Sequence, residues 1–245
     1  MSWTTWRAHF EANAVRPLPA VDAPQLDPLR TQALVHSLAI FQLGESGEGR
    51  IANQIDRVHL DGTDGDYRVA LKRFVAEEGR HARILGQMLR GLGGRELQSN
   101  WTEALFRNGR RLMGVRTKLL VLMCAEVVGM TFYRLILERL PQSGLRSALE
   151  QICQDETEHL AFHAAFFHAN LSPAERQAWR GAWWSVCGAA LTAVRRDHRE
   201  TLRAFGVSDR ELLRSARATI EQGERWVIEG APAPRVSASP ARAAA

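Results

Sequence analysis

The sequence predicts an all-α chain organised as a four-helix bundle, with a lead-in before it and extra helices after it. Three observations predict this. Valines are scattered, without sustained apolar–polar alternation or a hairpin dipeptide such as Asn-Gly, so almost no sheet is expected. Apolar residues recur instead at helical spacing between recognisable caps and stops. The same apolar stripes carry glutamates and histidines in an order that repeats once along the chain. At 245 residues, with 45% hydrophobic and 24% charged residues, the chain can bury a substantial core in one domain.

The elements follow in order. Residues 1–26 carry Trp3, Trp6 and Phe10, then the proline-rich RPLPAVDAP, and read as a short helix with an extended lead-in draped over the bundle. Asp27 followed by Pro28 is an N-cap and N1 signal, and the first long helix is expected to run to about Arg57. Leu34, Leu38 and Phe41 lead along one stripe to Glu45. Gly44, Gly47 and Gly49 each cost ~1 kcal/mol relative to Ala in a helix interior. Close helix packing is one reason for them, and room for a ligand or O2 beside a metal is the other.

HLDGTDGD, residues 59–66, lacks the length and terminal Glu of an EF-hand loop and reads as a turn, with Asp66 as N-cap of a second helix. That helix spans Tyr67 to about Arg90 and is stopped by Gly91, Gly93 and Gly94. Residues 95–113 read as a connecting helix in a long crossover. The third core helix starts near Thr117 and ends before Pro141, with Leu119, Leu122, Glu126, Met130, Tyr133 and Ile136 on one stripe. Ser143 caps a fourth that ends near Asn170. Ser172-Pro173-Ala174-Glu175 is a capping box with Pro at N1. A fifth helix follows, from 173 to about 205, with Trp179, Trp183, Val186, Ala190 and Val194 turned inward, against the bundle or a second copy of the chain. Gly206 ends it, and Ser208 caps a sixth that reaches about Trp226. The organisation is thus a lead-in at 1–26, a helical domain at 27–230, and a low-complexity tail at 231–245 expected to be disordered.

The chemistry lies in the repeat. FVAEEGRHARIL, residues 74–85, sets Glu78 and His81 three apart on the stripe of Leu71, Phe74 and Leu85. ICQDETEHLAFH, residues 152–163, sets Glu156 and His159 likewise beside Leu149, Ile152 and Leu160. A buried charge costs several kcal/mol unless it is paired or binds a metal. Each Glu-x-x-His is preceded by a lone Glu in an apolar helix, Glu45 and Glu126. Glu, Glu-x-x-His, Glu, Glu-x-x-His on four helices is the ligand set of di-iron and di-manganese carboxylate bundles.

These motifs resemble the ferritin-like di-iron carboxylate superfamily. Glu77-Glu78-Gly79-Arg80-His81 is similar to the first motif of soluble acyl-carrier-protein desaturases. Asp155-Glu156-Thr157-Glu158-His159 is similar to the second, with Glu158 where Arg is usual. Gly44-Glu45-Ser46 is similar to the first ligand helix of rubrerythrins. The resemblance covers roughly residues 28–170 and implies a ferritin-like bundle. It also implies bridging Glu78 and Glu156, terminal Glu45 and Glu126, and His81 and His159 on one metal each. Four carboxylates and two neutral imidazoles carry −4, which matches two Fe(II); Mn, or a mixed Mn/Fe pair, suits the same donors.

Around these ligands stand further candidates. Glu77 and Asp155 are placed to accept the outer N–H of the histidine on the opposite helix, or else to sit in solvent paired with Arg80. Glu48 shares the face of Glu45, as an outer acid, an extra ligand or a solvated charge. Tyr133, two turns from Glu126, is read as a hydrogen-bond donor to the site, an electron-transfer group, or a core tyrosine with a satisfied hydroxyl. His163, one turn past His159, is read as an extra ligand, a neighbour of the site, or simple packing.

The expected activity is O2 activation for desaturation, hydroxylation or N-oxygenation of a small organic or carrier-bound substrate. A peroxide reductase or ferroxidase is the alternative, and a non-enzymatic metal-binding scaffold the second alternative. Cys124, Cys153 and Cys187 form no C-x-x-C pair, so the electron donor is expected to be external and the compartment a reducing cytoplasm. The net charge of +5 is nearly all arginine, with 12 Arg against 7 acidic residues from Arg176 onward. That excess suits an acidic carrier or RNA without singling out either, and nucleic acid is not the favoured partner. The N-terminus does not read as a secretory signal, and the longest apolar run, Leu119 to Ala125, is too short to span a bilayer.

Overall fold

The computed structural model describes residues 2–46, 49–101 and 114–235, and every regular element among them is helical. α1 spans Trp3–Ala14, α2 Pro28–Glu45, α3 Gly49–Gln54, α4 Gly65–Gly91, α5 Val115–Leu137, α6 Gly144–Asn170, α7 Pro173–Asp197, α8 Arg199–Ala204 and α9 Asp209–Glu229, with a 3-10 turn at Ile55–Arg57 after α3. Side-chain caps set most of the starts. Asp27, Ser143 and Ser208 each accept from a backbone N–H in the first turn, and Ser172 with Glu175 forms the reciprocal capping box.

α2 lies along α4 and α5 along α6. Leu34 and Leu38 meet Leu85 to Leu89 at one end of the first pair, and Glu45 faces Glu78 at the other, so that pair is antiparallel. In the second pair Phe132 and Tyr133 share a cluster with Leu149 and Ile152, while Met123 and Cys124 share one with Leu160 to Phe167, which makes it antiparallel too. α1 packs on α4, and α7 and α9 cover α5. The core is split in two. One cluster gathers Trp6, Phe10, Phe74, Phe162 and Trp183; the other gathers Leu34, Leu38, Ile84, Phe132 and Ile152. The titratable groups described below lie between them.

Four expectations change. The first long helix does not run unbroken to Arg57: α2 ends at Glu45, where the Ser46 hydroxyl donates back to Gln42 O at 2.8 Å, a bond that competes with helix continuation. Asp64, not Asp66, caps α4, accepting from Tyr67 N at 2.9 Å. Asp66 instead accepts from Thr4 Oγ1 (2.6 Å) and Arg7 Nη1 (3.0 Å), tying α1 to α4. The fifth expected helix divides at His198 into α7 and α8. Within the tail, residues 231–235 pack on the fold: Ala231 is buried and Arg235 O lies 2.9 Å from His9 Nδ1. The expected connecting helix falls largely on residues 102–113, outside the described residues, as do Glu48 and the tail beyond 235.

α5 is long and apolar enough to cross a membrane by length and composition, but 78% of its most apolar window is buried inside the fold. A central bundle helix surrounded by other helices has this character.

Candidate metal centre

α4 and α6 each present one acidic pair and one histidine to the interior. Glu77, Glu78, His81, Asp155, Glu156 and His159 are all buried. One ligand atom from each of Glu78, His81, Glu156 and His159 lies within 4.8 Å of the others. The helical i, i+3 spacing makes this possible, since it stacks each Glu and His on one turn of the same face.

The two histidines are oriented alike. His81 Nδ1 stands 3.3 Å from Glu156 Oε1 and 3.8 Å from Glu78 Oε1. His159 Nδ1 stands 2.9 Å from Glu78 Oε1 and 3.2 Å from Glu156 Oε2. Each ring therefore turns Nδ1 into the cluster. Each turns Nε2 outward to a carboxylate of the opposite helix: His81 to Asp155 Oδ2 at 3.3 Å, His159 to Glu77 Oε2 at 3.1 Å. A carboxylate on Nε2 takes its N–H and leaves the Nδ1 lone pair for a cation. Glu77 and Asp155 are thus not solvent-exposed partners of Arg80.

Arg80 bonds elsewhere, through Nη1 to Arg16 O (2.7 Å) and Nη2 to Pro17 O (2.6 Å). It pins the lead-in so that Arg16 Nη2 reaches both outer acids, Glu77 Oε1 at 2.7 Å and Asp155 Oδ1 at 2.8 Å. Asn13 Nδ2 adds a longer contact of 3.4 Å to Glu77. Sequence reasoning missed Arg16 and Asn13, because neither lies on a motif and their partners are far away along the chain.

The lone glutamates close the cluster. Glu126 on α5 is buried, with Oε2 3.7 Å from His159 Nδ1. Glu45, half-buried at the last turn of α2, faces Glu78. His163 is buried with Nε2 3.8 Å from Glu126 Oε1, and among the described residues neither ring nitrogen has a hydrogen-bond partner. Tyr133 is buried beside Phe41, and among the described residues its hydroxyl finds no partner, so it is not the satisfied core tyrosine of the third reading.

The electrostatics are those of crowded buried anions. Burial and the neighbouring Glu78, Glu156 and Glu126 carboxylates push Glu45 well above the usual carboxylate range. Burial, with Glu156 and Glu78, does the same to Glu126. Burial works against a charged His81, yet the Asp155 and Glu156 carboxylates outweigh it and raise the ring to about 10. Glu77 resists burial through His159, His81 and Arg16 and is held at about 2. The cluster thus pulls protons onto imidazoles that face inward, as a strongly cation-seeking donor set does. Glu78 Oε1 and His81 Nδ1 have close ionic neighbours, but among the described residues neither makes a well-aligned hydrogen bond in the buried interior. Carboxylate oxygens, two inward imidazoles and these orphaned atoms fit a pair of divalent first-row metals.

A cavity of about 150 Å³ abuts the cluster. Glu45, Glu78, Glu126 and Glu156 line it, together with apolar residues of α2, α5 and α7. Gly44 lines it as well, and a Cβ there would meet nothing within 4 Å among the described residues, so this glycine leaves room rather than permitting close packing. Comparison with protein-family models, curated proteins and solved structures gives no match. What stands is an all-helical chain whose buried Glu/His cluster resembles a di-iron site.

Proposed function

We propose that this chain is a ferritin-like di-iron oxidoreductase that uses O2 to oxidise a small organic substrate. The observation that carries the reading is the apolar cavity lying directly against Glu45, Glu78, Glu126 and Glu156. A centre serving only peroxide or free iron has no use for an apolar chamber of this size beside its carboxylates.

His81 and His159 would each offer Nδ1 to the metals, and Glu78, Glu156, Glu45 and Glu126 would offer their carboxylates. A pair of such ions supplies two-electron reduction of O2. The protein's own part is to fix the donors and keep water out. Asp155 and Glu77 hold the proton on each Nε2, so the imidazoles stay neutral donors toward the metals. Arg16 balances the two outer acids, whose negative charge is otherwise uncompensated once the histidines bind metal. Phe74, edge-on to both His159 and His163, and Phe10 keep the α1 side dry. The reducing electrons come from a separate donor.

The test is metal analysis of anaerobically purified protein followed by O2 addition. About two irons per chain, with O2 uptake by the reduced protein, supports the reading. Rapid peroxide consumption without O2 uptake would replace it with a peroxide reductase. No metal after reconstitution would leave a scaffold.

A further inference from the structure

His198, at the junction of α7 and α8, lines the same cavity and belongs to no motif. Its ring stacks on Phe41 (4.7 Å between centroids, 12° between planes) and lies 4.9 Å from Phe132. A buried hydroxyl chain fixes its tautomer. Thr201 Oγ1 lies 2.5 Å from Ala33 O, and a carbonyl only accepts, so Thr201 donates there. Thr201 Oγ1 must then accept from Ser37, 2.6 Å away, which spends the one Ser37 proton. Ser37 Oγ in turn accepts from His198 Nδ1 at 2.8 Å. Nδ1 therefore carries the proton and Nε2 keeps its lone pair. Burial, assisted by His36, holds the ring at about 3, so it is neutral near pH 7. Among the described residues no hydrogen bond reaches Nε2.

The remaining wall is apolar apart from the carboxylates and Asp197, whose Oδ1 already accepts from Trp101 Nε1. Among the described residues His198 Nε2 is the neutral acceptor of this wall, beside the four glutamates. The size of the chamber matches cavities that hold a benzene-sized molecule.

We propose that the cavity binds a small apolar molecule, or the apolar end of a larger one, bearing a neutral hydroxyl or N–H group, and that His198 Nε2 accepts from that group. This names a substrate class for the oxidase reading, and rests on that reading only for the claim that the ligand is oxidised. His198 acts as a positioning and specificity residue.

Benzyl alcohol and anisole test it, because they are isomers of nearly equal size and only the alcohol donates. Binding is measured by tryptophan fluorescence on the full-length chain as purified, under argon. The wild-type chain favours benzyl alcohol. In His198→Leu the affinity ratio swings about tenfold toward anisole, the loss of about one buried hydrogen bond. In His198→Gln, which keeps an acceptor, part of the preference returns. In Ser37→Ala the ring survives but Nε2 is free to take the proton, and the preference shrinks. Equal affinities in the wild-type chain, an unchanged ratio in both His198→Leu and Ser37→Ala, or no binding of either isomer would overturn the proposal. No turnover is involved, so the two readings fail separately. A metal-free chain that keeps the preference sinks only the oxidase, and a metal-loaded chain without it sinks only this inference.

Discussion

Arg16 Nη2 lies 2.8 Å from Asp155 Oδ1 across 139 residues of sequence, and the same nitrogen lies 2.7 Å from Glu77 Oε1. One cation from outside the bundle thus holds two acids that come from different helices. Each acid holds the histidine of the other helix. Removing the arginine leaves two buried carboxylates short of positive charge, and both relax toward whatever cation remains.

Arg16→Gln is therefore expected to lower metal affinity about 10–100-fold, the usual effect of losing an outer partner of a ligating histidine. Arg16→Lys should fall between, since an ammonium reaches both acids less well than a guanidinium. Competition titration against a chromophoric chelator reads this directly. A dissociation constant within about twofold of wild type in Arg16→Gln would remove the arginine from the site.

Asp155→Ala and Glu77→Ala each free one Nε2, and each should weaken metal binding by a similar factor while leaving the helices intact. Circular dichroism and metal stoichiometry together check it. Full occupancy with unchanged affinity in both would make the two acids structural only.

Stripping the metals with a chelator should lower the melting temperature. An ion present at about 100 times its dissociation constant contributes about 2.7 kcal/mol, or roughly 5–10 °C for a chain of this size. Scanning calorimetry before and after dialysis against a chelator gives the answer. Coincident melts would mean that nothing tight is bound.

The lead-in is fixed at a second point. Gly144 N donates to Asp22 Oδ1 at 2.9 Å and Leu145 N to Asp22 O at 3.0 Å, and a Cβ on Gly144 would stand 2.7 Å from Ala20 O. Gly144→Ala should cost about 1–3 kcal/mol. A urea midpoint equal to that of wild type would show that this strap shifts aside freely.

His198 sets a pH dependence. Its folded value of about 3 lies below the unfolded value near 6.5, so the unfolded chain binds the extra proton between those limits. Its contribution to stability is complete above pH 6.5 and is lost as pH falls toward 3, by about 2–3 kcal/mol at pH 4.5. The difference in unfolding free energy between pH 7 and pH 4.5 should shrink by that amount in His198→Leu. An equal loss in both proteins would contradict a neutral buried ring.

The helix starts at Asp27, Ser143, Ser172 and Ser208 were legible because a cap is a local contest between one side chain and the first free N–H groups. Glu78, His81, Glu156 and His159 were legible because burying them on an apolar stripe makes sense only together. Arg16 and His198 were not. Arg16 sits in a proline-rich segment without periodicity, and His198 in an arginine-rich stretch whose neighbours read as solvated. Their roles come from partners that only the tertiary fold supplies, Glu77 and Asp155 for one, Ser37 and Phe41 for the other. Asp64 and Asp66 are two residues apart and both suit a cap; the contest was decided by Thr4 and Arg7, which claim Asp66.

The apolar character of α5 has a consequence during synthesis. Its main neighbours, α6, α7 and α9, all follow it in the chain. While the ribosome is still making them, Val115–Leu137 has emerged with most of its covering surface unmade. A nascent stretch of that length and hydropathy attracts chaperones and membrane-insertion machinery alike. Slowing translation after residue 137 is therefore expected to divert the chain to aggregates, read as a lower soluble yield.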